Sequence, residues 1–375
     1  MKKVIEIDKP RLESLDALRG FDMFWIIGGD AIVKGIALIA GTGFWTAAAE
    51  QMDHPDWNGF HFFDLIFPLF LFIAGVATPY SIGKELEKGK TKNELLHRII
   101  KRSLILVLIG FITANRPDGH FILKPLGEYR YASVLGRIGL AYMLANIIYL
   151  YTKPKAQMIW FGALIIGYWL LLKFTSAPGY PAGDLSMEGN FASYIDRSVM
   201  PGELYLKIHD PEGLVSTIPS ISTGLLGIIT GTYLKKSQLS GNTKSLGMFI
   251  CGVIFLLLAQ LWNLDFPINK NLWSSSFVLY AGGFSLILLS VFYYIIDVLG
   301  YKRWAFFFKV IGMNSILIYI SGIFINWEYT TKAFFNWLLQ FAREPYTALA
   351  YAVCMVAVKF LFLYVLYKKK TFLRV

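Results

Sequence analysis

Ten stretches of this chain are each long and apolar enough to cross a hydrocarbon layer, and no other feature of the sequence restricts its fold so tightly. A helix needs about 20 largely apolar residues to span the ~30 Å core of a bilayer. The segments 16–40, 59–83, 98–115, 131–151, 157–174, 214–234, 246–262, 272–297, 305–327 and 345–367 meet that requirement. Backbone in lipid must satisfy its own hydrogen bonds, which leaves the α-helix for segments of this length. The expected fold class is therefore all-α: a polytopic membrane protein of about ten transmembrane helices, forming one domain over residues 1–375. Only 16% of the residues are charged, against about 25% in an average soluble chain. That deficit excludes disorder and an ordinary water-soluble fold. The net charge of +11 does not indicate nucleic acid, because the positive residues sit in short clusters between apolar runs.

Those clusters set an orientation. With the N-terminus inside, the inner loops hold 22 Lys and Arg and the outer loops 8. Basic residues accumulate on the cytoplasmic side, so both termini are expected there, with the protein multi-pass in an inner (plasma) membrane and its basic loops against lipid headgroups. The longest outer loop, 175–213, is rich in Gly and Pro and is expected to cap an outward-facing site. The first twenty residues contain no long apolar run, so no cleavable leader is expected. Cys251 and Cys354 both fall inside apolar segments and read as small core residues. No His/Cys spacing suits a metal, and no P-loop, G-x-S-x-G or G-x-G-x-x-G pattern is present, so neither a metal site nor a hydrolase, ATPase or Rossmann chemistry is expected.

Ionisable side chains within spans cost several kcal/mol and are functional candidates by default. At 1.5 Å per residue, Arg19 and Lys309 lie near the cytoplasmic ends of their spans, with Asn314 and Ser315 about a turn deeper than Lys309. Lys359 lies in the cytoplasmic half of the last span, from where its long side chain can snorkel. Asp30, Asp64 and Arg137 share the outer half, and the first outer loop places His54 beside them, followed by Trp57, Asn58 and Gly59. Two readings stand side by side: an ion-pair network in which Arg137 neutralises Asp30 or Asp64, or a reactive site around the histidine. His61, three residues before Asp64, is a rival for the reactive role. His97 reads as a solvated group in a basic cluster, and His120 and His209 lie on outer loops without an evident partner.

The segment 11–20 (RLESLDALRG) resembles the opening of the transmembrane acyltransferases. Segments 54–59 (HPDWNG) and 64–68 (DLIFP) are similar to one branch, heparan-α-glucosaminide N-acetyltransferase and its bacterial relatives. Segments 210–213 (DPEG), 267–274 (PINKNLWS) and 312–317 (GMNSIL) agree with it, in the same order along the chain. The resemblance implies transfer of acetyl from cytosolic acetyl-CoA to the amine of a terminal glucosamine across the membrane. It places the active-site histidine on His54 and its associated acid on Asp64, and it sets Asp30 where the animal enzyme has an asparagine. By the same resemblance, the large domain that precedes the first span of the animal enzyme, along with one helix, is expected to be missing here.

The chemistry fits the layout. An amine attacks a thioester only when unprotonated, which calls for a base that titrates near neutrality, and a carboxylate orients such an imidazole. Asn58, Asn271 and Asn314 are the amides available to an oxyanion. Arg11 and Arg19 suit the CoA phosphates, with Arg137, Asn271, Asn314 and Ser315 as the further polar groups assigned to the donor. The expected partners are acetyl-CoA, an amino-sugar or glycan acceptor and the bilayer, with a homodimer among the assemblies open to such a bundle. Two alternatives of other classes stay open: an O-acyltransferase acting on an outer-face glycan, and a transporter without enzymatic activity.

Overall fold

A computed structural model describes residues 12–116 and 124–373. Fifteen α-helices follow one another: α1 (Glu13–Phe24), α2 (Asp30–Ala40), α3 (Gly43–Glu50), α4 (Ile66–Glu87), α5 (Lys92–Ala114), α6 (Val134–Tyr151), α7 (Pro154–Phe174), α8 (Phe191–Val199), α9 (Thr217–Lys235), α10 (Gly241–Asn263), α11 (Ser275–Tyr293), α12 (Phe306–Gly312), α13 (Ser315–Ser321), α14 (Trp327–Leu339) and α15 (Thr347–Lys368). The protein is an all-α polytopic membrane protein. Among the described residues, seven helical segments are long and apolar enough to cross a membrane. The remaining apolar stretches are helical but differ in kind. Helix α5 opens with Lys92, Glu94, Arg98, Lys101 and Arg102, and α9 is rich in Ser, Thr and Gly. The stretch 305–327 is not one helix: it breaks between α12 and α13.

Side-chain caps fix where helices begin. At the start of α5, Thr91 Oγ1 accepts the Glu94 N–H at 3.3 Å while the Glu94 carboxylate accepts the Thr91 N–H at 2.8 Å, a reciprocal capping box. Ser133, Asn190, Ser240 and Ser274 cap α6, α8, α10 and α11 one-sidedly, each side chain accepting the backbone N–H three residues on.

Small residues let the helices approach, as packing in an apolar solvent requires. A Cβ on Gly75 of α4 would lie 2.2 Å from the Gly224 carbonyl of α9, and one on Gly227 of α9 would lie 2.1 Å from the Phe72 carbonyl. Helices α1 and α12 meet similarly through Gly20 and Gly312. The main core gathers Leu15, Leu18, Leu69, Phe72, Phe277 and Leu289 at the centre of the bundle. Helix α10 turns Phe249, Ile250, Val253, Leu257 and Leu261 outward, a stripe at helical spacing that suits lipid. Cys251 lies exposed on this helix and only Cys354 is buried, so one of the two cysteines departs from its expected core position.

The first span is kinked. Trp25–Gly29 forms a π-helical turn, and Gly28 takes φ 137°, a conformation closed to most side chains. Lys359 of α15 donates to the Ile27 carbonyl at 3.0 Å. It therefore does not snorkel; it satisfies backbone at the kink.

The two ends of the bundle differ. At one end Asp297 accepts the N–H groups of Glu13 and Ser14, each at 3.3 Å, and Asn314 holds the tail after α15, so the first and last described residues gather there. At the other end the loops 51–61, 124–133, 175–216 and 264–274 converge on one another. They carry the site.

Candidate active site

The loop before α4 is stapled on several sides. Lys34 of α2 pairs with Asp53 at 2.6 Å. Gly59 N–H donates to the Ile268 carbonyl at 2.8 Å, and Asn269 Nδ2 donates to Asn58 Oδ1 at 3.0 Å. Trp57 Nε1 donates to the Leu185 carbonyl at 2.9 Å. Asn58 thus serves to join two loops. The partner loop is equally fixed: Asn269 Oδ1 accepts the Leu272 N–H at 2.8 Å, and Tyr168 Oη donates to the Leu272 carbonyl at 2.7 Å. Trp273, fully buried at φ 50°, donates its Nε1–H to Thr223 Oγ1 at 3.3 Å.

This scaffold brings His54 onto Asp64. His54 Nδ1 lies 2.6 Å from Asp64 Oδ1, and the carboxylate, wholly shielded from solvent, also accepts the His61 N–H on Oδ2 at 2.9 Å. The short 3₁₀ turn Phe62–Leu65 that opens the second span sets this geometry. The His61 ring turns elsewhere, its Nδ1 3.0 Å from the Asp53 carbonyl, so the rival histidine is a support. Lys270 completes the cluster. Its Nζ lies 3.0 Å from His54 Nε2, 3.2 Å from Nδ1 and 3.4 Å from Asp64 Oδ1. Burial lowers the Lys270 pKa, while Asp64 and Glu212 pull it upward. With Nδ1 on the carboxylate, the imidazole keeps the tautomer whose lone pair is on Nε2.

Beside His54 opens a cavity of about 220 Å³. Its walls are Met23 and Ile26 of the first span, Phe63, Ile66, Phe67 and Phe70 of the second, Val134, Leu135 and Ile138 of α6, and Ile316 of α13. Among the described residues, the polar side chains that reach it are His54, Glu212, Lys270 and Tyr319. It is an apolar slot with a charged end.

A second polar layer braces that end. Arg130 grips Asp210 with two bonds of 2.9 and 2.7 Å and also binds Glu212. Burial opposes the Asp210 charge, yet Arg130 holds its carboxyl below the usual range. Arg137 donates to the Gly213 carbonyl at 3.3 Å and to Ser216, and its guanidinium lies 5.0 Å from the Trp273 ring centroid. It pairs with neither Asp30 nor Asp64, contrary to the ion-pair expectation. His209, expected to lack a partner, is buried with its Nδ1 2.7 Å from Ser193 Oγ and its ring 5.1 Å from that of Trp57. Burial pushes its pKa down to about 4, and the Asn271 backbone lies beside it. Burial raises Asp196 to about 6 despite the Leu214 N–H bonded to it at 2.9 Å.

The remaining sequence-expected groups lie apart from His54. Asp30 heads α2 in the field of Lys359. Arg19 pairs with Asp16 at 3.4 Å, one turn along α1 from Met23 and on the same face. Asn314 spends its amide on the tail: Nδ2 donates to the Thr371 carbonyl and Oδ1 accepts the Leu373 N–H, both at 3.0 Å. Ser315 is buried next to it. Arg11 and His120 lie outside the described residues. Sequence reasoning assigned no role to Lys270, Glu212, Arg130 or Asp210. The available signal was that Lys270 is the single basic residue of the loop 264–274.

Residues 11–175 match the family described as a domain of unknown function, DUF5009. The chain is 30% identical over 423 residues to heparan-alpha-glucosaminide N-acetyltransferase of Homo sapiens, an alignment that covers 98% of this chain and 60% of that protein. The Mus musculus protein of the same name is 30% identical over 420 residues, covering 97% of this chain and 61% of its own length. The chain is similar along nearly its whole length to heparan-α-glucosaminide N-acetyltransferase. It spans about three-fifths of the length of these two relatives. The candidate site built from His54, Asp64 and Lys270 lies where the loops of the bundle converge.

Proposed function

We propose that this protein transfers acetyl from acetyl-CoA to the amine of a glucosamine-type sugar at a site within the membrane. The observation that carries the reading is the half-exposed His54, with Nδ1 on the buried Asp64, at the charged end of an apolar slot. The slot suits the pantetheine arm and acetyl group, which are long and weakly polar. Arg19, one turn beyond Met23, suits the anionic part of CoA. The acceptor reaches His54 from the loop end, and the basic-residue partition places that end on the periplasmic face.

His54 Nε2 takes a proton from the amine as its nitrogen attacks the thioester carbon. Asp64 holds the tautomer and offsets the charge of the imidazolium. The carbon–sulfur bond then breaks, and the imidazolium returns the proton to the CoA thiolate. One base and one bound thioester suffice for an amine nucleophile, which favours a ternary complex over an acetyl-histidine.

The test is mass spectrometry of products from purified protein given acetyl-CoA and a panel of amino sugars and hydroxyl sugars. N-acetylated product from the wild type is expected, with His54→Ala slowed about 10²–10⁴-fold while acetyl-CoA binding persists. Acetylation of hydroxyl sugars alone, or near-wild-type turnover by His54→Ala, counts against the reading.

A further inference from the structure

The slot needs a hydrogen-bond donor where its acyl carbonyl would lie. None of the amides offered by the sequence, Asn58, Asn271 and Asn314, lines the slot, and Asn314 holds the tail with both ends of its amide. Lys270 remains. It is the lysine among the slot-lining residues, and it sits at the charged end against the His54 ring.

We propose that Lys270 is a catalytic residue whose ammonium donates to the thioester carbonyl oxygen and stabilises the oxyanion of the tetrahedral intermediate. The inference rests on the acetyltransferase reading above. An ammonium has three donors. Nζ lies over the His54 ring, 3.0 and 3.2 Å from its two nitrogens, and 3.4 Å from Asp64 Oδ1, which leaves an N–H for the slot. The surrounding charges are balanced for this use. Asp64 and Glu212 face Lys270 with negative charge, and Arg137 adds positive charge from α6. The Lys270 side chain is only 17% exposed, and a charge shielded from water acts more strongly on a developing oxyanion than one in solvent.

Attack forms the carbon–nitrogen bond and moves the carbonyl π electrons onto oxygen, which Lys270 holds by hydrogen bonding without giving up its proton. The electrons return as the carbon–sulfur bond breaks, and the proton held by His54 passes to the thiolate.

Lys270→Met and Lys270→Arg in the full-length purified protein test the assignment, with kcat, KM and acetyl-CoA affinity measured using glucosamine as acceptor. Lys270→Met is expected to lower kcat by about 10²–10³-fold with acetyl-CoA affinity retained, and Lys270→Arg to recover part of that loss. A kcat for Lys270→Met close to wild type overturns the proposal. So does loss of acetyl-CoA binding in both variants, which would make Lys270 a structural group, and so does an arginine variant no faster than the methionine one. A wild type that acetylates no amino sugar overturns the acetyltransferase reading itself, and is thereby distinguished from failure of the Lys270 assignment alone.

Discussion

His54 is held by residues remote from it in the chain. Asp64 supplies the acceptor for Nδ1 from the next span, and Lys270 reaches the ring across more than 200 positions. A carboxylate as shielded as Asp64 is tolerable only with its charge matched, and the His54 ring, Lys270 and the His61 N–H do that. The layer behind contains a titrating pair with opposite signs. His209 has its pKa pushed down to about 4 by burial, whereas an unfolded histidine titrates near 6.5. Its contribution to stability is complete above that unfolded value and is lost as pH falls from there toward 4. Asp196, raised to about 6, contributes at acid pH and loses that contribution as pH rises from about 4 to 6. His209→Gln is expected to remove about 2 kcal/mol of the stability lost between pH 7 and pH 5. Thermal unfolding of the purified protein at the two pH values measures this; an unchanged acid loss would contradict it. Of these residues, His54 and Asp64 were legible in the sequence because a histidine beside a membrane-depth carboxylate is costly without a purpose. Lys270 was not, because a lysine in a short loop reads as solvated until another loop closes over it.

Among the elements, the broken ninth segment shows what an apolar run conceals. Residues 305–327 contain enough apolar length for one span, yet the chain turns at Met313 and Asn314. Gly312 presses on α1, where a Cβ would lie 1.9 Å from the Asp16 carbonyl. Asn314 then binds the tail rather than continuing the helix. The kink in the first span is hidden similarly, since Lys359, which satisfies the Ile27 carbonyl there, comes from α15. Gly312→Ala is expected to force α1 and α12 apart and to destabilise the protein by about 1–3 kcal/mol. Gly162→Ala in α7 is the control: a Cβ there meets nothing within 4 Å, and alanine is the better helix former by nearly 1 kcal/mol. Thermal unfolding of both variants in the same detergent provides the measurement. Equal shifts would show that the α1–α12 contact is not the tight one.

At the scale of the whole molecule, the partition of basic residues and the convergence of loops make a joint prediction. The loop end that carries His54 should face outward and the end that gathers the termini should face the cytosol. Single cysteines placed at 51–53, in the loop after α3, and in 235–245, in a background of Cys251→Ser and Cys354→Ser, are to be labelled in intact cells with a membrane-impermeant thiol reagent. Labelling in the first loop and protection in the second is expected; the reverse pattern inverts the orientation.

The all-α membrane class follows from sequence alone, because apolar length and backbone hydrogen bonding in lipid permit little else. The polar groups that carry chemistry were also partly legible, because each buried charge has a cost that marks it. Which of them meet was decided only in three dimensions. Asp30, Asp64 and Arg137 were expected at similar depths, but depth along a helix does not fix the direction a side chain faces or the neighbour it finds. Helix packing through Gly75, Gly227 and Gly312, with loop stapling through Asn58 and Asn269, sets those directions. It turns Arg137 toward Trp273, keeps Asp30 out of the cluster, and leaves Asp64 with His54 and Lys270.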